Sequence, residues 1–172
     1  MNIFVLSKFP DIAARYHCDK HVVKMILESM QIICTVLREV YRIDYGYRST
    51  HVNHPCTKWA GQRVEHLLWL LDLTKNLCSE YNFRYGKIHK CNLMFNELSV
   101  FLQNQVLPEP LKNYTTVTEE YKILVYTHLN FVFCGPEDLR TNDIVASYRN
   151  YYKRDKKYFA TWKNRNTPEW FI

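Results

Sequence analysis

His17, His21, Lys24 and Glu28 are the residues of this 172-residue chain whose types and spacing most suggest chemistry. Successive residues of an α-helix turn by about 100°, so these four positions fall within roughly 60° of one another and form one narrow polar stripe. Val22, Val23, Ile26, Met30 and Ile33 hold the opposite side, with Met25 and Leu27 flanking the stripe. A helix apolar around most of its circumference is expected to be buried. Ionisable groups taken into such a place need partners, and their pKa values shift. A carboxylate, an amine and two imidazoles gathered there could move protons, stabilise a cationic carbon or hold a metal ion. The competing reading is a solvated helix face on which Lys24 and Glu28 make a surface i,i+4 pair of about 0.3 kcal/mol.

Three other polar clusters stand out. In THVNHP, His51, Asn53 and His54 precede a helix opened by Pro55, and helix N-termini favour anions. The cluster reads either as phosphate or base contacts or as a capping segment. RYGKIHK, with Arg84, Lys87, His89 and Lys90, reads as a phosphate grip or as an ordinary basic loop. In SYRNYYKRDKKYFATWKNR, basic residues from Arg149 to Arg165 interleave with Tyr148, Tyr151, Tyr152, Tyr158 and Trp162. Cations for phosphates and rings for bases make a workable nucleic-acid surface. A solvated helix packed through its aromatics explains most of the same residues.

The elements that must position these groups follow from periodicity and breakers. Asn2 to Leu6 is a short apolar run, expected to be extended. Pro10 and Asp11 suit the start of a helix that nothing breaks before about Tyr41. After a loop over Tyr45 to His54, Pro55 opens a second helix to about Tyr85, stopped by Gly86. A third covers Ile88 to about Gln103. Tyr114 to Phe133 is rich in β-branched and aromatic residues and reads as strand or irregular. Thr141 or Asn142 is expected to cap a fourth helix from Asp143 to Trp162, and the NTPEWFI tail to be extended. The expected fold is therefore mainly α: a single domain over 1–172, a bundle of about four helices with a short extended N-terminus and an irregular or strand-like insertion.

Composition agrees with a packed helical chain. Hydrophobic residues make up 47%, enough for a core, while 4 Gly and 6 Pro argue against a loop-rich sandwich and against disorder. A net charge of +6 is compatible with a polyanionic partner. The six Cys include no CxxC pair, so a zinc ribbon is not expected and no metal is assigned. Reduced thiols, no signal-peptide pattern and no apolar run of about 20 residues lead to an expectation of a cytoplasmic protein, in a host cell if viral, with no membrane partner.

These residues also carry a resemblance. CDKHVVKMILE resembles the first helix of the phage endonuclease V type pyrimidine-dimer DNA glycosylases and their bacterial relatives, in which a His precedes the catalytic Glu by seven residues; the matching pair is His21 and Glu28. HPCTKWAG, the Leu-rich helix after it and SEYNFRYGKIH are similar to the HPxTxxWxG…RGYxH run of the bacterial relatives. KKYFATWKNRNTPEWF, which contains Trp170, resembles the family's terminal Arg-Pro-x-Trp-aromatic segment. Tyr114 to Arg140 has no counterpart. MNIFVL, CDKHVVKM, NHPC and the YRxYYxxxK ending together are similar to uncharacterised phage proteins.

The resemblance implies an N-glycosylase that acts on a damaged or modified base in DNA without a cofactor, with an AP-lyase step possible in principle. An N-terminal α-amine attacks C1′ and expels the base, the imine permits β-elimination, and the Glu stabilises the cationic sugar and moves protons. An α-amine ionises near 8 as a class, roughly, so part of it is neutral nucleophile at neutral pH. A carboxylate beside an oxocarbenium-like carbon stabilises charge where it develops. One departure matters: the family member with this mechanism starts with Thr after Met removal, whereas Asn2 here is large for the trimming enzyme and predicts a retained Met1. Three routes stay open: Met1 as nucleophile, Lys24 or Lys20 in its place, or water activated by Glu28.

On this reading Glu28, His21, Lys24 and Met1 do the chemistry. His17, Lys20, His51, Asn53 and His54 meet the substrate from the N-terminal half, as do Arg84, Lys87 and His89. Arg149, Tyr152 and Trp170 do so from the C-terminal segment, where rings would fill or wedge the base stack. Two other classes compete. His17 and His21 at i,i+4 with Glu28, completed by His51, His54 or His89, would suit a metal-dependent hydrolase or nuclease. A non-catalytic nucleic-acid binder would use the stripe to hold phosphate.

Overall fold

The computed structural model describes residues 1–172 and contains eight α-helices and no strand. In chain order the helices are α1 (Pro10–Tyr16), α2 (Asp19–Glu39), α3 (Pro55–Gln62), α4 (Val64–Tyr85), α5 (Lys90–Gln103), α6 (Glu109–Lys112), α7 (Glu119–Thr127) and α8 (Ile144–Asp155). Single 3-10 turns occur at 114–116, 137–139 and 169–171. No helix is long and apolar enough to cross a membrane.

Helices α2 and α4 cross at the centre. Ile26, Met30, Ile33 and Leu37 of α2 and Leu67, Leu68, Leu70 and Leu71 of α4 are almost fully excluded from solvent. The polar stripe of α2 runs along the flank of this contact, which is why Glu28 and His21 are buried while Lys24 is exposed.

The mainly helical expectation holds, but the helices are shorter and more numerous than periodicity suggested. The expected first helix breaks between α1 and α2, where His17 and Cys18 are extended with ψ of 132° and 163°. Neither residue type forbids helix. The turn is held from far along the chain: the Asp19 N–H donates to the Thr161 carbonyl at 2.8 Å, and the Asp19 carboxylate accepts from the Thr161 hydroxyl at 2.9 Å and the Lys163 N–H at 3.0 Å. The expected second helix divides at Arg63 (φ −145°, ψ 149°). There the His66 ring, at the start of α4, bonds the Trp59 carbonyl near the end of α3 at 2.7 Å.

The stretch read as strand or irregular is largely helical, and its helix α7 spans part of KILVYTHLNFVF. Thr118 accepts from the Tyr121 N–H at 3.3 Å, and Glu119 and Glu120 sit in the first turn. Cap and helix dipole outweigh β-propensity here. α8 ends at Asp155 rather than Trp162, and Asp143, not Thr141 or Asn142, caps it by accepting from the Val145 N–H at 2.9 Å. The tail closes in a 3-10 turn at Glu169–Phe171 rather than staying extended.

The extended N-terminus is the element that matters most for the site. Ile3, Phe4, Val5 and Leu6 are each at most 4% exposed. Burying each of these side chains is worth about 1.5–3 kcal/mol, which pins a terminus that would otherwise fray. The Phe4 ring stacks on His21 (centroids 4.5 Å apart, planes at 21°) and meets Tyr148 and Tyr152 of α8 edge-on at 5.8 and 5.3 Å. The first residues of the chain therefore lie between α2 and α8.

Candidate active site

Glu28 is 8% exposed, and its carboxylate is held from three sides. Oε2 accepts the Asn2 backbone N–H at 2.8 Å and lies 3.8 Å from the Met1 ammonium; Oε1 lies 3.3 Å from the Lys24 ammonium. A buried carboxylate without partners would be strongly disfavoured, and here one peptide donor and two cations compensate. The Lys24 side chain is 65% exposed, so its ion pair is largely screened by water.

The terminus is fixed by its own side chains. Met1 is nearly enclosed, with its sulfur 3.8 Å from the Thr57 hydroxyl of α3. Both polar atoms of the Asn2 side chain are engaged: Nδ2 donates to the Cys134 carbonyl at 2.9 Å, and Oδ1 accepts from the Ile3 N–H at 2.8 Å, the Tyr148 hydroxyl at 3.3 Å and the Cys56 thiol at 3.5 Å. Both residues fit this niche as Met and Asn.

His54 borders the same pair. As the N-cap of α3, its Nδ1 accepts from the Cys56 N–H at 3.2 Å. Burial, then the Met1 ammonium and His51, hold its pKa below the usual imidazole value, and Glu28 pulls the other way. A groove of about 410 Å³ opens alongside between α2 and α3, lined among others by Thr35, Glu39, Asn53, Thr57 and Lys58. Thr57 thus faces both the groove and Met1. The other large cavities are elsewhere; one of about 300 Å³ holds Asp72, Lys122 and Tyr126.

His21 lies seven residues before Glu28, about 10 Å along the helix axis, and does not touch it. Its ring is sandwiched by Phe4 and bonded through Nδ1 to the Tyr152 hydroxyl. Burial, with His17, Lys156 and Lys24 adding repulsion, lowers its pKa to about 3, so it is neutral at neutral pH. His17 is fully buried in the break between α1 and α2; Nδ1 bonds the Ala13 carbonyl at 2.7 Å, Nε2 has no partner, and burial lowers its pKa to about 4. With His17 in the break outside α2 and Glu28 two turns beyond His21, the ligand atoms of His17, His21 and Glu28 do not converge, and the metal site considered for them does not form.

Several expected substrate contacts are corrected by their surroundings. Arg84 is 1% exposed and gives Nε to Glu80 (2.8 Å) and its two terminal nitrogens to Asp19 and the Arg15 carbonyl (2.9 Å each). It is a structural cation, paired with two carboxylates and buried away from any phosphate. Tyr152 is fully buried beneath Phe4, and His17 is equally inaccessible. His89 caps α5 by accepting from the Cys91 N–H at 3.2 Å. Arg149 donates to the Leu6 carbonyl at 3.1 Å and lies over the Tyr16 and Trp170 rings, so both it and Trp170 pack the N-terminal segment and tail. Lys20 is exposed over the Phe159 ring, and Lys87, His51 and Asn53 are exposed.

Met1, Asn2, Lys24, Glu28 and His54 thus meet at one place, all within the first third of the sequence. Residues 1–93, just over half of the chain, match the family model of the pyrimidine dimer DNA glycosylases. The chain belongs to this DNA glycosylase family. No curated protein and no solved structure matches it. The family span holds the whole amine–carboxylate pair, whereas Cys134 and Tyr148, which hold Asn2 from behind, come from outside it. Neither the backbone N–H of Asn2 nor Cys56 and Cys134 stood out in the sequence: a peptide group has no residue signature, and the two thiols are 78 positions apart.

Proposed function

We propose that the protein is a DNA lesion glycosylase with a coupled β-lyase step, in which the Met1 α-amine is the nucleophile and Glu28 the charge-stabilising and proton-moving group. The observation that carries this reading is the Met1 ammonium 3.8 Å from Glu28 Oε2, beside a terminus pinned by Asn2. The Met1 ammonium first gives up a proton to solvent; the amine lone pair then forms the bond to C1′ as the glycosidic electrons leave with the base, which takes up a proton. The sugar ring then opens to an iminium ion, and loss of a C2′ proton expels the 3′ phosphate. Glu28, acceptor-only when ionised, stabilises the cationic carbon and receives the proton. Lys24 is exposed and already paired with Glu28 Oε1, so it serves as a neighbouring charge. Asn53 and Lys58 in the groove between α2 and α3 are suited to the displaced nucleotide, and exposed Lys20 and Lys24 to flanking phosphates.

The test is incubation of the full-length protein with a duplex carrying a cyclobutane pyrimidine dimer, with borohydride present. A covalent protein–DNA adduct located by peptide mapping on Met1 is the expected result. An abasic product without an adduct would leave a glycosylase that uses water and overturn the amine route. Neither product across a panel of pyrimidine lesions would overturn the enzymatic reading.

A further inference from the structure

Behind the N-terminus, three soft or borderline donors that the glycosylase chemistry does not use come together. Ligand atoms of His54, Cys56 and Cys134 all lie within 4.8 Å of one another. The two sulfurs are 3.4 Å apart, with Cys56 fully buried and both Cys134 and His54 half-buried. We propose that these residues form a binding site for a thiophilic d10 cation, Zn²⁺ in the first instance, that staples the loop at Cys134 to the start of α3.

The geometry favours a metal over a disulfide. Tetrahedral zinc with bonds of about 2.3 Å to sulfur separates two thiolates by roughly 3.8 Å, so the pair need open by only a few tenths of an ångström. A disulfide requires about 2.05 Å, a closure of well over an ångström, while the Cys56 thiol bonds Asn2 Oδ1 and the Cys134 backbone is held by its N–H to the Tyr148 hydroxyl. His54 supplies the third ligand. Its Nδ1 lone pair now meets the Cys56 N–H at 3.2 Å, a long bond for a metal to displace. A water molecule completes four-coordination. Binding releases both thiol protons to solvent, so the charge balance is one dication in and two protons out. The half-buried side of His54 and Cys134 provides the entry path.

Co²⁺ is the probe, titrated into the reduced full-length protein. One equivalent is expected to give thiolate-to-cobalt charge-transfer absorption with intense tetrahedral d–d bands, both removed by Zn²⁺. Cys134→Ser is expected to weaken binding by about 100-fold or more, His54→Ala to weaken it less, and Cys78→Ser, at a buried thiol elsewhere, to leave it unchanged. Should Cys56→Ser fail to fold, the wild-type spectrum and Cys134→Ser still decide. Absence of the charge-transfer band at stoichiometric Co²⁺, or its survival in Cys134→Ser, overturns the proposal. Because the readout is metal alone, it stands apart from any result with damaged DNA.

Discussion

The backbone N–H of Asn2 donates to Glu28 Oε2 at 2.8 Å, so one carboxylate oxygen grips the first peptide bond of the chain and also faces its terminal ammonium. Any displacement of residue 2 moves the amine relative to the acid. Attack geometry is sensitive at the scale of an ångström, and the Asn2 bonds to Cys134, Tyr148 and Cys56 set that distance from behind.

Glu28→Gln keeps the shape but removes the charge. The turnover of a dimer-bearing duplex is expected to fall by about 100-fold or more, while affinity for the same duplex stays level or rises because a negative charge has gone. Single-turnover cleavage and fluorescence anisotropy separate the two; equal loss of both would point to a binding role for the carboxylate.

Blocking the amine tests the other half of the pair. Acetylation of Met1, or a Gly-Ser extension ahead of it, is expected to abolish borohydride-trapped adducts while leaving lesion binding within a few-fold. Adduct formation that survives acetylation would move the nucleophile to a lysine.

Arg84→Met should act on stability rather than on DNA contact. Removing the cation leaves Glu80, also 4% exposed, and Asp19 without a central partner, although Arg165 still pairs with Glu80 at 2.9 Å. Breaking a buried pair costs about 3–5 kcal/mol, visible as a lower denaturant midpoint, and the slope of DNA affinity against salt should not change.

The buried imidazoles predict an acid limb. His17 and His21 have folded pKa values of about 4 and about 3 against 6.5 in the unfolded chain. Below pH 6.5 the unfolded state binds the protons and the folded state does not, so stability is full above 6.5 and falls as pH drops toward 4. Two such groups give a slope of about 2.8 kcal/mol per pH unit. His21→Phe keeps the stack on Phe4 and should roughly halve that slope in chemical denaturation series between pH 6.5 and 4.5.

The helical character, the central helix and the proximity of Lys24 to Glu28 were legible because they depend on neighbours three and four residues away. The breaks at His17 and Arg63 were not, because Thr161, Lys163 and the Trp59 carbonyl impose them through contacts that local periodicity does not encode. The same holds for Arg84, whose basic surroundings suggested phosphate until Glu80 and Asp19 claimed its donors. His21 lies on the stripe of α2 as expected while His17 falls in the break before it, and burial makes both of them packing groups around Phe4. Met1 was legible only through the resemblance; the niche formed by Thr57 and Asn2 is a product of tertiary structure.

The placement of Phe4 between His21 and the two tyrosines of α8 has a consequence for biosynthesis. The N-terminal residues find some of their permanent neighbours early, in His21 and Glu28, and the others only when Tyr148 and Tyr152 of α8 have been made. The terminus is therefore braced on both sides only once α8 is present, and such distant pairings are slow to close. A chain truncated before α8 is expected to leave Asn2 and Phe4 without their rear supports, and the amine out of register with Glu28.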